Sequence, residues 1–266
     1  MARLVSVKKA EFLKLLLYGA PGSGKTRTSG TAALDERTSP VLWLDMAGNP
    51  TSIRKYKKLP DVIEIDALVE LDPIFWWLHA GQPKDSQVPQ ELGLPEDHIP
   101  YKTVVIDGIT ETQRMSFKIV TGSSDIGPAG FPKLAERQHF GKVLAQMINL
   151  AYRFYKLDMH VIITSLESSK TNEMTGAVTY GPLLWGQSAG EVGGYALMVA
   201  RLVNRARLQG GTLRMVEGAL KDEGELVSVA LLQASGTCDA KDQYLTGLPY
   251  MVDPSIPKIL DEIHKS

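Results

Sequence analysis

Cysteine is almost missing from this chain: Cys238 is the only one among 266 residues. That excludes an intramolecular disulfide framework and a cysteine-built zinc site, and it fits a reducing compartment. A charge of one sign is missing too. Lys plus Arg number 29 against 30 Asp plus Glu, for a formal net charge of −1. No global field therefore draws the protein to nucleic acid or to a membrane surface, although local basic groups remain. No run approaches the ~20 apolar residues of a membrane span, so no membrane partner is expected. Residues 1–14 hold no apolar run followed by a small-residue cleavage site, which argues against a secretory leader. No fixed-period repeat is present.

What is present suits a sizeable core, with 44% hydrophobic residues. The length is that of one domain with at most a small appendage. We expect one domain over 1–266, with its core at about 12–250 and a C-terminal tail over 251–266.

The most specific pattern is Gly19-Ala20-Pro21-Gly22-Ser23-Gly24-Lys25-Thr26. It fits the phosphate-binding loop G-x-x-x-x-G-K-[ST] at every fixed position. The apolar run 12–18 reads as a strand feeding the loop, and residues 25–34 as a helix leaving it. Glycines let backbone N–H groups approach phosphate oxygens, and the helix start adds partial positive charge there. Lys25 is expected on the β- and γ-phosphates and Thr26 on Mg²⁺. Arg27 joins the eight loop residues as an expected nucleotide contact.

Strands and helices alternate beyond the loop. Short apolar runs at 41–45, 62–66, 103–107 and 161–165 read as strands. Residues 69–80 read as a helix carrying Trp76 and Trp77, with one ring in the core and the other more exposed. The proline-rich stretch 81–100 reads as a surface excursion and 121–132 as a loop. Phe140, Val143, Leu144, Met147, Ile148, Ala151, Phe154 and Tyr155 mark one face of a long helix. Apolar strands separated by helices argue for an α/β fold with a mostly parallel sheet covered on both sides. Runs at 196–203, 212–217 and 226–232 read as strands of an antiparallel extension, with a turn at Gly210-Gly211.

Two of the strand-end carboxylates are candidates for the site. Asp107 closes the run at 103–107, where ligands gather in doubly wound sheets, and is expected to hold Mg²⁺ with Thr26. Asp45 either orients a water or caps the turn at 48–50. Thr164 and Ser165 end a later strand, where a hydroxyl either senses the γ-phosphate or satisfies a strand-end amide. Glu167 is a further candidate catalytic carboxylate.

The order GAPGSGKT, VLWLD, TVVIDGIT, a long helix, HVIIT and finally Asp239-Ala240-Lys241-Asp242-Gln243 resembles the phage-type RecA-like nucleotide-binding proteins of single-strand annealing and recombination. The resemblance covers roughly residues 12–250. It implies a RecA-like P-loop NTPase core, ATP with Mg²⁺, single-stranded DNA as partner, and a homo-oligomer with nucleotide at the subunit interface. It implies the cytoplasm as location, that of a host if the chain is phage-encoded. Lys241 matches a basic residue that reaches a neighbour's phosphates in that family; the alternative is a solvated lysine. Ala47 stands where the family carries a water-activating Glu, and Gln243 where it carries Arg. Slow turnover is therefore expected unless Asp45, Glu167 or a partner supplies the carboxylate. No guanine-reading Asn-Lys-x-Asp element occurs, which favours adenine.

Two basic groups are candidate DNA contacts: Arg54-Lys55-Tyr56-Lys57-Lys58, and Arg201, Arg205, Arg207 and Arg214. Each is otherwise a solvated face. The best functional reading is an ATP-binding recombination or annealing factor with weak or DNA-stimulated ATPase activity. Its rivals are a non-hydrolysing switch, a DNA motor subunit and a small-molecule kinase.

Overall fold

A computed structural model describes residues 12–48, 51–94, 98–122, 136–207, 213–215 and 226–266. The expected turn at Gly210-Gly211 and nearly all of the expected loop at 121–132 lie outside them. The elements run β1 (Lys14–Gly19), α1 (Lys25–Gly30), β2 (Val41–Asp45), β3 (Asp61–Glu64), α2 (Leu71–His79), α3 (Gln87–Glu91), β4 (Thr103–Asp107), α4 (Ile109–Thr121) and α5 (Arg137–Tyr155). They continue with β5 (His160–Thr171), β6 (Val178–Pro182), α6 (Ser188–Tyr195), β7 (Met198–Arg207), β8 (Leu213–Met215), β9 (Leu226–Leu231), β10 (Lys241–Asp242), β11 (Tyr250–Val252) and α7 (Ile256–Lys265).

The main sheet has the order β11-β9-β7-β1-β5-β4-β2-β3. From β7 to β3 every neighbouring pair is parallel. This is the expected α/β architecture, with antiparallel strands added at the C-terminal end. One assignment changes. The 196–203 run is not part of the antiparallel extension, because β7 lies parallel beside β1, and the extension starts only with β9 and β10 on its far side and with β8 on the edge it shares with β1.

Side-chain alternation sorts the sheet into two faces. Leu15, Leu17, Trp43, Val105 and Ile162 point to the face covered by the segment after α1 and by α7. Leu16, Leu42, Val104 and Ile163 point to the face covered by α2, α4, α5 and α6. Buried on both faces, the central strands read as continuous apolar runs rather than alternating ones.

Helix boundaries moved for local reasons. The helix expected over 25–34 is α-helical only to Gly30, then tightens into a 3-10 turn over Thr31–Leu34. Thr31 Oγ1 donates back to the Thr28 carbonyl at 2.6 Å, a local bond that competes with helix continuation. The helix expected from 69 starts at Leu71, which places Pro73 in the first turn, where no intrahelical N–H is needed. Trp77 is 2% exposed and Trp76 56% exposed, so one ring is in the core and the other largely in solvent.

The excursion at 81–100 is less loop-like than expected. Ser86 caps the short α3 by accepting from Val88 N, and Val88, Leu92 and Leu94 pack against the core. Helices α6 and α7 were not anticipated. Residues 251–266, expected as a tail, form β11 and then α7, whose Ile256, Ile259, Leu260 and Ile263 are buried at helical spacing. The Ser255 hydroxyl accepts from Lys258 N at its start, with Pro257 in the first turn.

Candidate nucleotide-binding site

Strand β1 delivers the chain to the loop at the C-terminal edge of the sheet. Only glycine fits at 19: a Cβ there would lie 2.4 Å from the Leu202 carbonyl oxygen. Gly24 has φ 97, in the left-handed region that favours glycine. The first helical bond of α1 runs from Thr28 N to Gly24 O at 2.8 Å. The N–H groups of Lys25, Thr26 and Arg27 therefore have no intrahelical acceptor and face the loop's concavity, as an anion site requires. Lys25 Nζ donates to Gly19 O at 2.8 Å and Ala20 O at 3.0 Å. Burial lowers its pKa, opposed by the negative charges of Asp107 and Glu167.

Strand β5 lies between β1 and β4, and it completes the site. Thr26 Oγ1 donates to Asp107 Oδ2 at 3.1 Å, and Thr164 Oγ1 donates to Asp107 Oδ1 at 2.5 Å. Thr164 Oγ1 also accepts from Gly108 N at 3.0 Å. Asp107 is 6% exposed. Burial pushes its carboxyl above the usual range, opposed by the Thr164 and Thr26 bonds and reinforced by Asp45.

Asp45 is the register partner of Asp107 across β2 and β4. Its Oδ1 accepts from Ala47 N and Gly48 N, both at 3.0 Å. The capping alternative is therefore realised on one oxygen. The other, Oδ2, is buried without a hydrogen-bond partner among the described residues. Position 47 is Ala, and Gly108 has φ 108, with its would-be Cβ 3.2 Å from Ala47 Cβ.

Three expected site residues have other partners. Ser165 alternates to the opposite face from Thr164 and lies buried against Thr110, with its hydroxyl donating to Leu166 O at 2.9 Å. Period two in the strand makes Thr164 the site hydroxyl and removes Ser165 from it. Glu167 is paired with Arg201 at 2.7 Å. Lys241 is not a solvated lysine: Nζ donates to Gly194 O at 2.8 Å and Ala196 O at 2.7 Å, where it caps α6.

The basic groups also separate. Arg201 is buried, stacked 3.6 Å from the Tyr180 ring centre and paired with Glu167, so it is not a DNA-facing cation. Arg205 and Arg207 lie in β7, with Arg214 across from Ala206 in β8. Lys55, Lys57 and Lys58 are exposed, and Tyr56 between them lines a cleft beside the loop.

That cleft, about 670 Å³, runs from Gly22–Thr26 along Arg27 and Thr31 to Tyr56, Asp253 and Lys258. Sequence reasoning missed its outer wall, because the residues from Asn204, Ser228 and Asp253 meet the loop only through the sheet order. Thr26, which lines the cleft, donates to the Asp107 carboxylate, and Asp107 is the register partner of Asp45 with its orphan Oδ2. These hard oxygen donors fit Mg²⁺.

Among the described residues no helix is long and apolar enough to cross a membrane. No curated protein matches the chain. A match to the family described as an AAA domain extends over residues 11–242; it reaches the P-loop NTPase class, and the RecA-like expectation is narrower than it. With the phosphate loop, the Thr26–Asp107 pair and that match covering most of its length, the chain belongs to the AAA-domain family of P-loop NTPases.

Proposed function

We propose that the protein binds ATP with Mg²⁺ at the Gly19–Thr26 loop, hydrolyses it slowly, and acts on single-stranded DNA in recombination or annealing. The observation that carries the nucleotide reading is the Thr26–Asp107–Thr164 chain of hydrogen bonds beside Lys25. Lys25 exchanges its two loop carbonyls for the β- and γ-phosphate oxygens. The N–H groups at the start of α1 hold the phosphates, and Thr164 keeps Asp107 oriented. Thr26 and Asp107 would hold Mg²⁺, which when bound neutralises charge on the phosphates.

Slow turnover follows from Ala47, which stands where the resemblance places a water-activating Glu. Losing a positioned general base typically costs ~10²–10⁴ in rate. Of the two substitute carboxylates, Asp45 keeps a free buried oxygen, while Glu167 is neutralised by Arg201. We assign water orientation to Asp45. Asp45→Asn keeps an acceptor for Ala47 N and Gly48 N, so it removes the charge and leaves the turn.

The DNA part rests on the resemblance and on the exposed run Arg54–Lys58 at the cleft mouth. The test is Mg²⁺-dependent ATP turnover with and without single-stranded DNA, in the wild type, Lys25→Ala, Asp45→Asn and Glu167→Gln. Expected are DNA-stimulated turnover lost in Lys25→Ala, a drop of at least tenfold in Asp45→Asn, and little change in Glu167→Gln. Turnover unchanged in Asp45→Asn removes its assignment. Tight ATP binding with no turnover under any condition replaces the ATPase with the switch reading, which Ala47 favours.

A further inference from the structure

The outer end of the cleft is built from groups that suit a sugar better than a phosphate. From the loop the cleft continues past Arg27 and Thr31 to Tyr56 and Asp253, leaving that side open to the rest of a nucleotide whose phosphates sit on the loop. The Tyr56 ring is fixed there. Its hydroxyl donates to Arg27 O at 2.7 Å, and it packs so closely on Gly30 that a Cβ at 30 would lie 3.0 Å from its Cε2. Asn204 and Ser228 brace the loop, donating to Gly22 O at 3.5 Å and Ser23 O at 3.3 Å.

Asp253 differs from these neighbours. It holds a left-handed backbone with φ 47, which is uncommon for a residue other than glycine and a reason to look for function. Two bonds clamp it: Asp253 N donates to Ser228 O at 2.8 Å, and Lys258 Nζ donates to Asp253 O at 2.8 Å. Lys258 is thus spent on the backbone of Asp253, and its carboxylate makes no ion pair among the described residues. A carboxylate only accepts hydrogen bonds. It repels phosphate and matches neighbouring hydroxyl donors, as acidic residues do on the ribose in dinucleotide sites.

We infer that Asp253 receives the ribose 2′-hydroxyl of the bound nucleotide and makes the site selective for ribonucleotides over 2′-deoxyribonucleotides. This rests on the nucleotide reading above. Titration calorimetry with ATP and with dATP, in excess Mg²⁺, tests it on the wild type, Asp253→Gly and Lys25→Ala. Glycine adopts φ 47 without strain, so Asp253→Gly removes the carboxylate and spares the turn. A circular dichroism melt of each variant checks the fold.

One hydrogen bond to a charged group corresponds to about a tenfold preference for ATP over dATP in the wild type. In Asp253→Gly the ratio falls to about one, with dATP affinity unchanged. Equal wild-type affinities, a preference that survives in Asp253→Gly, or equal weakening of both ligands each overturn the assignment. Wild-type binding of neither nucleotide, or undiminished binding by Lys25→Ala, overturns the phosphate-loop reading itself, which separates the two failures.

Discussion

At the scale of single residues, the site is a set of groups held under electrostatic tension. Asp107 is buried beside Asp45, and two hydroxyls and the charge of Lys25 oppose the desolvation of its charge without overcoming it. Its folded pKa stands above the unfolded one. The folded chain therefore binds more protons than the unfolded chain between those two values, and stability falls as pH rises through that window. Above it the ionised carboxylate is a net cost. Asp107→Asn keeps an acceptor for Thr164 and removes that charge. We expect it to raise the stability of the nucleotide-free protein at pH 7 by about 1 kcal/mol, or roughly 2–4 °C in Tm, while weakening Mg²⁺-dependent nucleotide binding. Thermal melts with and without Mg-ATP check both halves. A fall in Tm without nucleotide would show that the carboxylate is structural instead.

The same scale shows what the sequence could say about side chains. The eight loop residues and Asp107 were legible because their spacing is itself the chemistry. Thr164 and Ser165 were not separable, since both hydroxyls end one apolar run. Which of them faces Asp107 depends on which face of β5 meets α1, and that is set by register with β1 and β4.

At the scale of elements, α1 illustrates a conflict between propensity and packing. Gly30 ends the helix, and helix propensity alone favours alanine there by about 1 kcal/mol. The tertiary contact opposes it. A Cβ at 30 would lie 2.3 Å from Ile53 Cγ2, inside any tolerable contact. Overpacking costs typically ~1–3 kcal/mol, so packing wins. Gly30→Ala is expected to lower stability by about 1–2 kcal/mol in urea titrations and to weaken nucleotide binding by displacing Tyr56. A neutral or stabilising result would mean that Ile53 yields.

Element legibility followed pattern strength. The strands β2 and β4 and the helix α5 were readable from short apolar runs and one strong face. Helix α7 was passed over as a tail although its four apolar residues keep helical spacing, because nothing nearby in sequence shows a surface for them to cover. That surface is assembled from the turn over Thr31–Leu34 and from residues such as Leu13, Met198 and Ala230, far apart in the chain. The partners of Lys241 were hidden for a similar reason: they are the last carbonyls of α6, an element that the sequence does not announce.

At the scale of the whole molecule, near-neutral charge means that any DNA affinity must come from a local patch. The run Arg54–Lys58 is the candidate, since its lysines are exposed and the rival group loses Arg201 to Glu167. Neutralising two phosphate contacts on a single strand should flatten the slope of log K against log salt by roughly 1.4. Lys57→Gln combined with Lys58→Gln, followed by fluorescence anisotropy on a labelled oligonucleotide across salt concentrations, measures it. An unchanged slope would move the DNA contact elsewhere.

The sequence by itself determined the phosphate loop, the strand-end aspartates and the alternation of strand and helix, because each is written in contiguous residues whose spacing carries the physics. The tertiary structure alone decided the strand order, the choice of Thr164 over Ser165, the pairing of Glu167 with Arg201, and the return of the C-terminal segment to wall the cleft with Asp253. Those features depend on register and on which face is buried, and both are settled when distant segments desolvate one another.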